Sequence, residues 1–174
     1  MTGTSSSSSS STTTISKDLP SDYASAVKGF FADVGIHASL PQNSSKDFYS
    51  DLIRDLLKVD NVLRGRVSCI FSVSPALGNY FNGLHGGAVG AIAERVSIAC
   101  ARTVVAGDKE LFLGELSISY LSAATLNEVL VVEAAVARSG RNLTVVASEF
   151  RIKKTRKLVY TSRATIYHMP PAKL

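Results

Sequence analysis

The chain has 174 residues, 45% of them hydrophobic, and 19 Lys and Arg against 14 Asp and Glu give a formal net charge of +5. That length supports one core of ordinary size and leaves no room for a second enzyme domain. Cys69 and Cys100 are too few for a disulfide framework and suit small core positions, and no apolar run is both long and charge-free enough to span a bilayer.

Residues 1–20 form a Ser/Thr-rich tail. From Met1 to Ser16 its apolar content is too low to offset the entropy of ordering, so disorder is expected there. Residues 21–44 form a helical extension, in which Tyr23, Val27, Phe30, Phe31 and Val34 give Ser21 to Ala38 one apolar face. The main domain is expected over 45–169. It opens with a short amphipathic helix at 47–57, where Phe48, Leu52, Ile53, Leu56 and Leu57 fall at helical spacing. Val62 to Val73 alternates as one strand, with Val67, Cys69, Phe71 and Val73 on one side and Arg66, Ser68 and Ser72 on the other.

Next comes the run Asn79-Tyr80-Phe81-Asn82-Gly83-Leu84-His85-Gly86-Gly87, followed at once by an apolar stretch from Ala88 to Val105. Glycines let backbone approach a ligand closely, and the first turn of a helix leaves N–H groups without partners at its positive end. Such a turn suits a carbonyl oxygen that becomes anionic. Within the helix, Val89, Ile92, Val96, Ala99, Cys100 and Thr103 share one face, as burial against a sheet requires. Gly87, Gly90, Glu94, Ser97 and Ala101 form a second face of small residues around a single carboxylate, which leaves room for something to approach. A carboxylate desolvated there would be a stronger base. The plainer alternative for Glu94 is a solvated helix-surface acid paired with Arg95 or Arg102; His85 suits a capping or positioning role better than that of the base. His85 and Glu94 lie nine residues apart, a net half turn and about 13 Å along the helix. They cannot meet within one chain, so if both are functional a two-fold dimer must bring them together.

Four strands complete the chain, over Leu111–Leu121, Val129–Arg138, Asn142–Lys153 and Lys157–His168, with turns at Ser139-Gly140-Arg141 and Lys154-Thr155-Arg156. Hairpin connections imply antiparallel pairing, with one helix covering the apolar face. The basic residues Arg138, Arg141, Arg151, Lys153, Lys154, Arg156, Lys157 and Arg163 lie on or between these strands, mostly as a solvated face. No helix-turn-helix, zinc or RNA-recognition signature accompanies them, so a nucleic-acid partner is not expected. Any subset that converges near a substrate would attract phosphates. His37, His85 and His168 are too scattered for a ligand set, and no nucleotide loop or serine elbow is present; neither a metal nor an organic cofactor is expected.

From Lys46 to His168 these features resemble the hotdog-fold acyl-CoA thioesterases, in particular the type with Asn, His-Gly-Gly and a helical acid nine residues after the His, close to the plant and animal acyl-CoA thioesterase 13-like group. The resemblance implies an α+β hotdog fold, a long central helix wrapped by an antiparallel β-sheet, assembled as a homodimer or as a dimer of dimers. It implies hydrolysis of a fatty or aromatic acyl-CoA, with Gly86 N–H polarising the thioester carbonyl and Gly87 N–H nearby. Asn79 would orient water or substrate, and Glu94 of the neighbouring subunit would serve as base or nucleophile. Arg138, Arg141 and Lys153 are the candidates for the coenzyme A phosphates. Two departures stand out: Leu113 occupies the place of a water-holding Ser or Thr, for which Ser117 or Ser119 would have to compensate, and Thr155-Arg156-Lys157 replaces a glycine turn. A non-catalytic acyl-CoA binding module and a hotdog hydratase or dehydratase are the rival readings. The terminal Ala172-Lys173-Leu174, set off by Pro170-Pro171 in the exposed segment 170–174, resembles a peroxisomal address read by an import receptor. The expected compartment is therefore the peroxisome, with the cytoplasm as the alternative.

Overall fold

The computed structural model describes residues 14–33, 48–79 and 81–170. Along the chain run β1 (Thr14–Ile15), α1 (Ser21–Asp33), α2 (Phe48–Leu56), β2 (Lys58–Leu63), β3 (Arg66–Ser72), α3 (Gly86–Arg102), β4 (Glu110–Tyr120), β5 (Val129–Ser139), β6 (Leu143–Ile152) and β7 (Leu158–Met169). The strands form one sheet in the order β1-β2-β3-β5-β6-β7-β4, antiparallel throughout except for β1 beside β2. One face of the sheet wraps α3, which contacts β3, β4, β5, β6 and β7, while α1 and α2 pack against α3. This is the α+β hotdog arrangement.

The core follows from two periodicities meeting. Val89, Ile92, Val96, Ala99 and Cys100 of α3 are fully buried, and so are the inward-facing Cys69, Leu130, Val132, Val146, Phe150, Ala164 and Ile166 of the strands. Thr103 ties the end of α3 to the sheet: its hydroxyl donates to Cys100 C=O at 2.6 Å and accepts from Gly65 N–H at 2.7 Å. Among the described residues no helix is long and apolar enough to cross a membrane.

Three expectations need correction. Val62 to Val73 is not one strand but the join of a hairpin: β2 ends at Leu63, Gly65 takes φ +74°, and β3 starts at Arg66. The φ is one that a glycine adopts without strain, so the chain reverses where the alternation alone suggested continuity. The expected tail of 1–20 is structured from residue 14, because Ile15 packs on the core, Leu19 is buried, and Thr14–Ile15 extends the sheet. On the small-residue face of α3, Ser97 and Ala101 are fully buried rather than open to approach. The tail up to residue 13, the helix end expected beyond Asp33, His37 and Ala172-Lys173-Leu174 lie outside the described residues.

The last hairpin closes without glycine. Arg156 itself takes φ +61°, with its N–H donating to Ile152 C=O at 2.8 Å. The left-handed conformation usually supplied by glycine is thus adopted by an arginine, against the usual preference.

Candidate active site

The loop before α3 is organised by Asn79. Its side-chain Oδ1 accepts from Phe81 N–H at 2.9 Å and Gly83 N–H at 3.0 Å, while its backbone N–H donates to Gly83 C=O at 2.7 Å. Asn82 turns the chain with φ +57°, and Leu84 N–H donates to Ala124 C=O at 2.8 Å. Asn79 therefore spends its carbonyl oxygen on the loop, and its Nδ2 lies 3.5 Å from Leu84 C=O. In this chain it positions backbone, and it does not present that oxygen to water or substrate.

His85 caps α3. Its backbone is extended, its N–H donates to Leu77 C=O at 2.8 Å, and its Nδ1 accepts from Gly87 N–H at 2.9 Å. An accepting Nδ1 places the ring proton on Nε2. His85 C=O accepts from both Ala88 N–H and Val89 N–H. Of the N–H groups that open the helix, Gly87 is thus taken by the cap and Ala88 by the turn; Gly86 N–H has no hydrogen-bond partner among the described residues. The expectation that Gly87 N–H would help to hold a substrate is corrected: the imidazole occupies it. A cleft of about 420 Å³ opens here, lined by Ala76, Leu77, Gly78, His85, Gly87 and Ala88.

Tyr120, at the end of β4, completes the turn. Its hydroxyl donates to Gly86 C=O at 3.0 Å and would sit 3.3 Å from a Cβ added at Gly86. One turn further along α3, a Cβ at Gly90 would sit 3.7 Å from Ile118 Cδ1. Gly86 beside Tyr120 and Gly90 beside Ile118 define a row of α3 that runs back along β4, and Glu94 is its next member. Glu94 is exposed, with no hydrogen bond or ion pair among the described residues; Arg102 instead donates to Lys109 C=O. Desolvation of this carboxylate has to come from outside the single chain.

The edge beside that row is open. Among the described residues β4 pairs only with β7, so one side of the strand carries backbone groups without a sheet neighbour there. Leu111, Leu113, Leu116 and Ile118 pack inward on the core, and exposed Tyr120 and Leu121 stand at the strand's end. Ser117 and Ser119 are exposed on the other face, so neither replaces the hydroxyl missing at Leu113.

Of the basic candidates, Arg138 and Arg141 meet at the β5–β6 hairpin, in a cleft of about 540 Å³ that Arg163 of β7 also lines. Lys153 does not join them. It follows the far end of β6, a strand of 10 residues, and so lies roughly 30 Å away. Alternation places Tyr120 on the inward register of β4 with Leu116 and Ile118, but its contact with the helix start was not foreseen from the sequence. Arg163 was also missed as a site residue; its strand parity was the available signal.

Residues 81–159 match the family described as Thioesterase superfamily. Among solved structures, a thioesterase family protein from Silicibacter pomeroyi superposes with a TM-score of 0.69 at 21% identity, covering 85% of this chain and 98% of its own. Zebra fish thioesterase superfamily member 2 gives 0.68 at 22% identity, covering 84% and 97%. A hypothetical thioesterase protein from Streptococcus pneumoniae, crystallised with coenzyme A, gives 0.63 at 20%, covering 75% and 100%. No curated protein sequence matches the chain. The fold is therefore that of the hotdog thioesterases, and the segment that carries the His85 cap, α3, Glu94 and the strands from β4 to the start of β7 is the segment that matches the Thioesterase superfamily.

Proposed function

We propose that this protein hydrolyses acyl-CoA thioesters to a free acid and coenzyme A, in a site completed across a two-fold dimer. The observation that carries the reading is the pairing, at the open edge of β4, of a Gly86 N–H at a capped helix start with an exposed Glu94 on the same row of α3, neither of which has a partner among the described residues. Antiparallel pairing of two β4 edges covers the exposed backbone groups and sets one subunit's Glu94 against the other's helix start. In the closed groove a hydrogen bond to a developing oxyanion counts for more than it does in water.

The thioester carbonyl oxygen accepts from Gly86 N–H. By one route, Glu94 of the partner subunit takes a proton from water as the water oxygen bonds to the acyl carbon; the tetrahedral intermediate then expels the coenzyme A thiolate, and the sulfur takes up a proton as the C–S bond breaks. By the other, a Glu94 oxygen attacks the acyl carbon, the thiolate leaves, and water cleaves the resulting anhydride. Isotopic oxygen from water recovered in Glu94 after a single turnover marks the second route. His85 and Asn79 act as positioning residues, through the cap and the loop respectively.

Purified protein mixed with aliphatic and aromatic acyl-CoAs should release free thiol, and Glu94→Gln should lower turnover by about 10²–10⁴-fold. Near-normal turnover in that variant contradicts the assignment. One observation favours a second reading, a binding module without turnover: Leu113 faces the core, and Ser117 and Ser119 face away from the helix, so β4 offers no serine or threonine hydroxyl to the groove. Tight acyl-CoA binding without thiol release identifies that case.

A further inference from the structure

Gly86 and Gly87 open α3 side by side, and two glycines in the first turn of a helix leave that turn free to change its torsions. Two side chains remove the freedom. The peptide unit that joins Gly86 to Gly87 is a single plane, and it is gripped at both ends: its C=O accepts from the Tyr120 hydroxyl at 3.0 Å, and its N–H donates to His85 Nδ1 at 2.9 Å. The unit before it, from His85 to Gly86, is held at its carbonyl, by Ala88 N–H at 2.9 Å and Val89 N–H at 3.1 Å. Its other end is the Gly86 N–H, which has no partner among the described residues. The two planes meet at the Gly86 Cα, so a grip on the second limits how far the first can swing.

Tyr120 is itself held in place. Its ring meets the Tyr160 ring edge-on with centroids 5.7 Å apart, and Tyr160 meets the fully buried Phe150 in the same way at 5.9 Å. The Tyr160 hydroxyl accepts from Ala124 N–H at 3.1 Å, and Ala124 C=O accepts from Leu84 N–H at 2.8 Å. A row of three rings thus carries the rigidity of the core to the loop before His85 and, through Tyr120, to the turn after it. Glycine is what lets the hydroxyl come so near: a Cβ at Gly86 would stand 3.3 Å from its oxygen and 3.5 Å from two ring carbons.

We propose that Tyr120 is a positioning residue for thioester hydrolysis, whose hydroxyl fixes the Gly86–Gly87 peptide and thereby aims Gly86 N–H at the oxyanion before the charge forms. The role rests on the acyl-CoA reading above and is exerted through the backbone. A donor already aimed needs no rearrangement as charge develops, so the benefit falls on the transition state rather than on substrate binding. With 55% of its surface exposed in the single chain, Tyr120 shares its hydroxyl with water. It is the last residue of the edge strand, so a partner strand laid along β4 shields the bond as the site is assembled.

Tyr120→Phe keeps the ring and deletes the hydroxyl. With acyl-CoA, kcat for thiol release should fall about tenfold and KM should stay within about twofold of wild type, a fraction of the roughly 10²–10³-fold that follows outright loss of an oxyanion donor. Gly86→Ala, whose Cβ pushes the hydroxyl away, should lower kcat by a similar factor, and the double variant should be no slower than Gly86→Ala alone, because both substitutions break one contact. Thr103→Val, which removes the hydroxyl bonds at the other end of α3, should lower the urea unfolding midpoint and leave kcat unchanged. Amide exchange at Gly87 should quicken by about tenfold in Tyr120→Phe. An unchanged kcat in Tyr120→Phe, a loss that appears in KM instead, an equal loss of kcat in Thr103→Val, or losses that multiply in the double variant overturns the role. If the wild-type protein releases no thiol, the hydrolase reading fails by itself and Gly87 exchange decides the grip: faster exchange in Tyr120→Phe supports it, and unchanged exchange overturns it.

Discussion

The two long faces of α3 are built on opposite rules. Toward the sheet, Val89, Ile92, Val96, Ala99 and Cys100 are fully buried and matched by strand side chains, so every position is filled. Along the β4 edge, Gly86 and Gly90 are small and Glu94 is left exposed, without a partner among the described residues. A helix under selection for packing alone would not keep glycines in its first two turns, where each costs up to about 1 kcal/mol relative to alanine. The difference teaches that one face holds the fold and leaves the other open for the substrate and second subunit proposed above.

Substitutions on the two faces should therefore part company. Glu94→Gln should remove about 10²–10⁴-fold of the thioesterase turnover with an unchanged unfolding midpoint. Ile92→Ala, two residues earlier on the buried face, should cost about 3 kcal/mol in chemical denaturation through lost burial and a cavity, with activity retained by the folded fraction. A large stability loss in the first variant, or none in the second, breaks the comparison.

A smaller effect comes from pH. Burial pushes the Cys100 thiol from 9.0 up to about 12, and burial raises Cys69 further still. Burial also raises the Tyr160 phenol. In the unfolded chain these groups lose their protons first, so the stability they contribute is complete below about pH 9 and declines as pH rises toward 12, by about 1 kcal/mol per pH unit for each thiol. Urea unfolding midpoints should fall steadily across that window, and Cys100→Ala should flatten the slope. A midpoint independent of pH there contradicts the picture of thiols sealed beneath α3.

How much of this was legible in the sequence depended on whether a signal was periodic. The buried face of α3 and the parity of Val67, Cys69, Phe71 and Val73 were legible because helix and strand repeats differ. The hairpin at Gly65 was hidden because apolar alternation continues on both sides of it, and β1 because two residues carry no period. The Asn79 to Gly87 run was recognisable as a loop leading into a helix start, but not the distribution of its hydrogen bonds: that Asn79 is consumed by Phe81 and Gly83, and Gly87 by His85, depends on torsions that composition does not encode. Likewise, charge alone could not separate Lys153 from Arg138 and Arg141, since strand length decides which end of the sheet each one occupies.

The central claim is that one chain supplies Gly86 N–H and the other supplies Glu94, and mixed dimers test it directly. Gly86→Pro deletes the N–H at the first helical position, where proline is well tolerated; like Glu94→Gln, it should be inactive alone. Unfolded together in equal amounts and refolded, the two variants should recover about a quarter of wild-type thiol release, because half the dimers are mixed and one of their two sites is intact. If the mixture stays as inactive as its components while mixed dimers are demonstrably formed, the two groups do not work across the subunit boundary and the account is wrong.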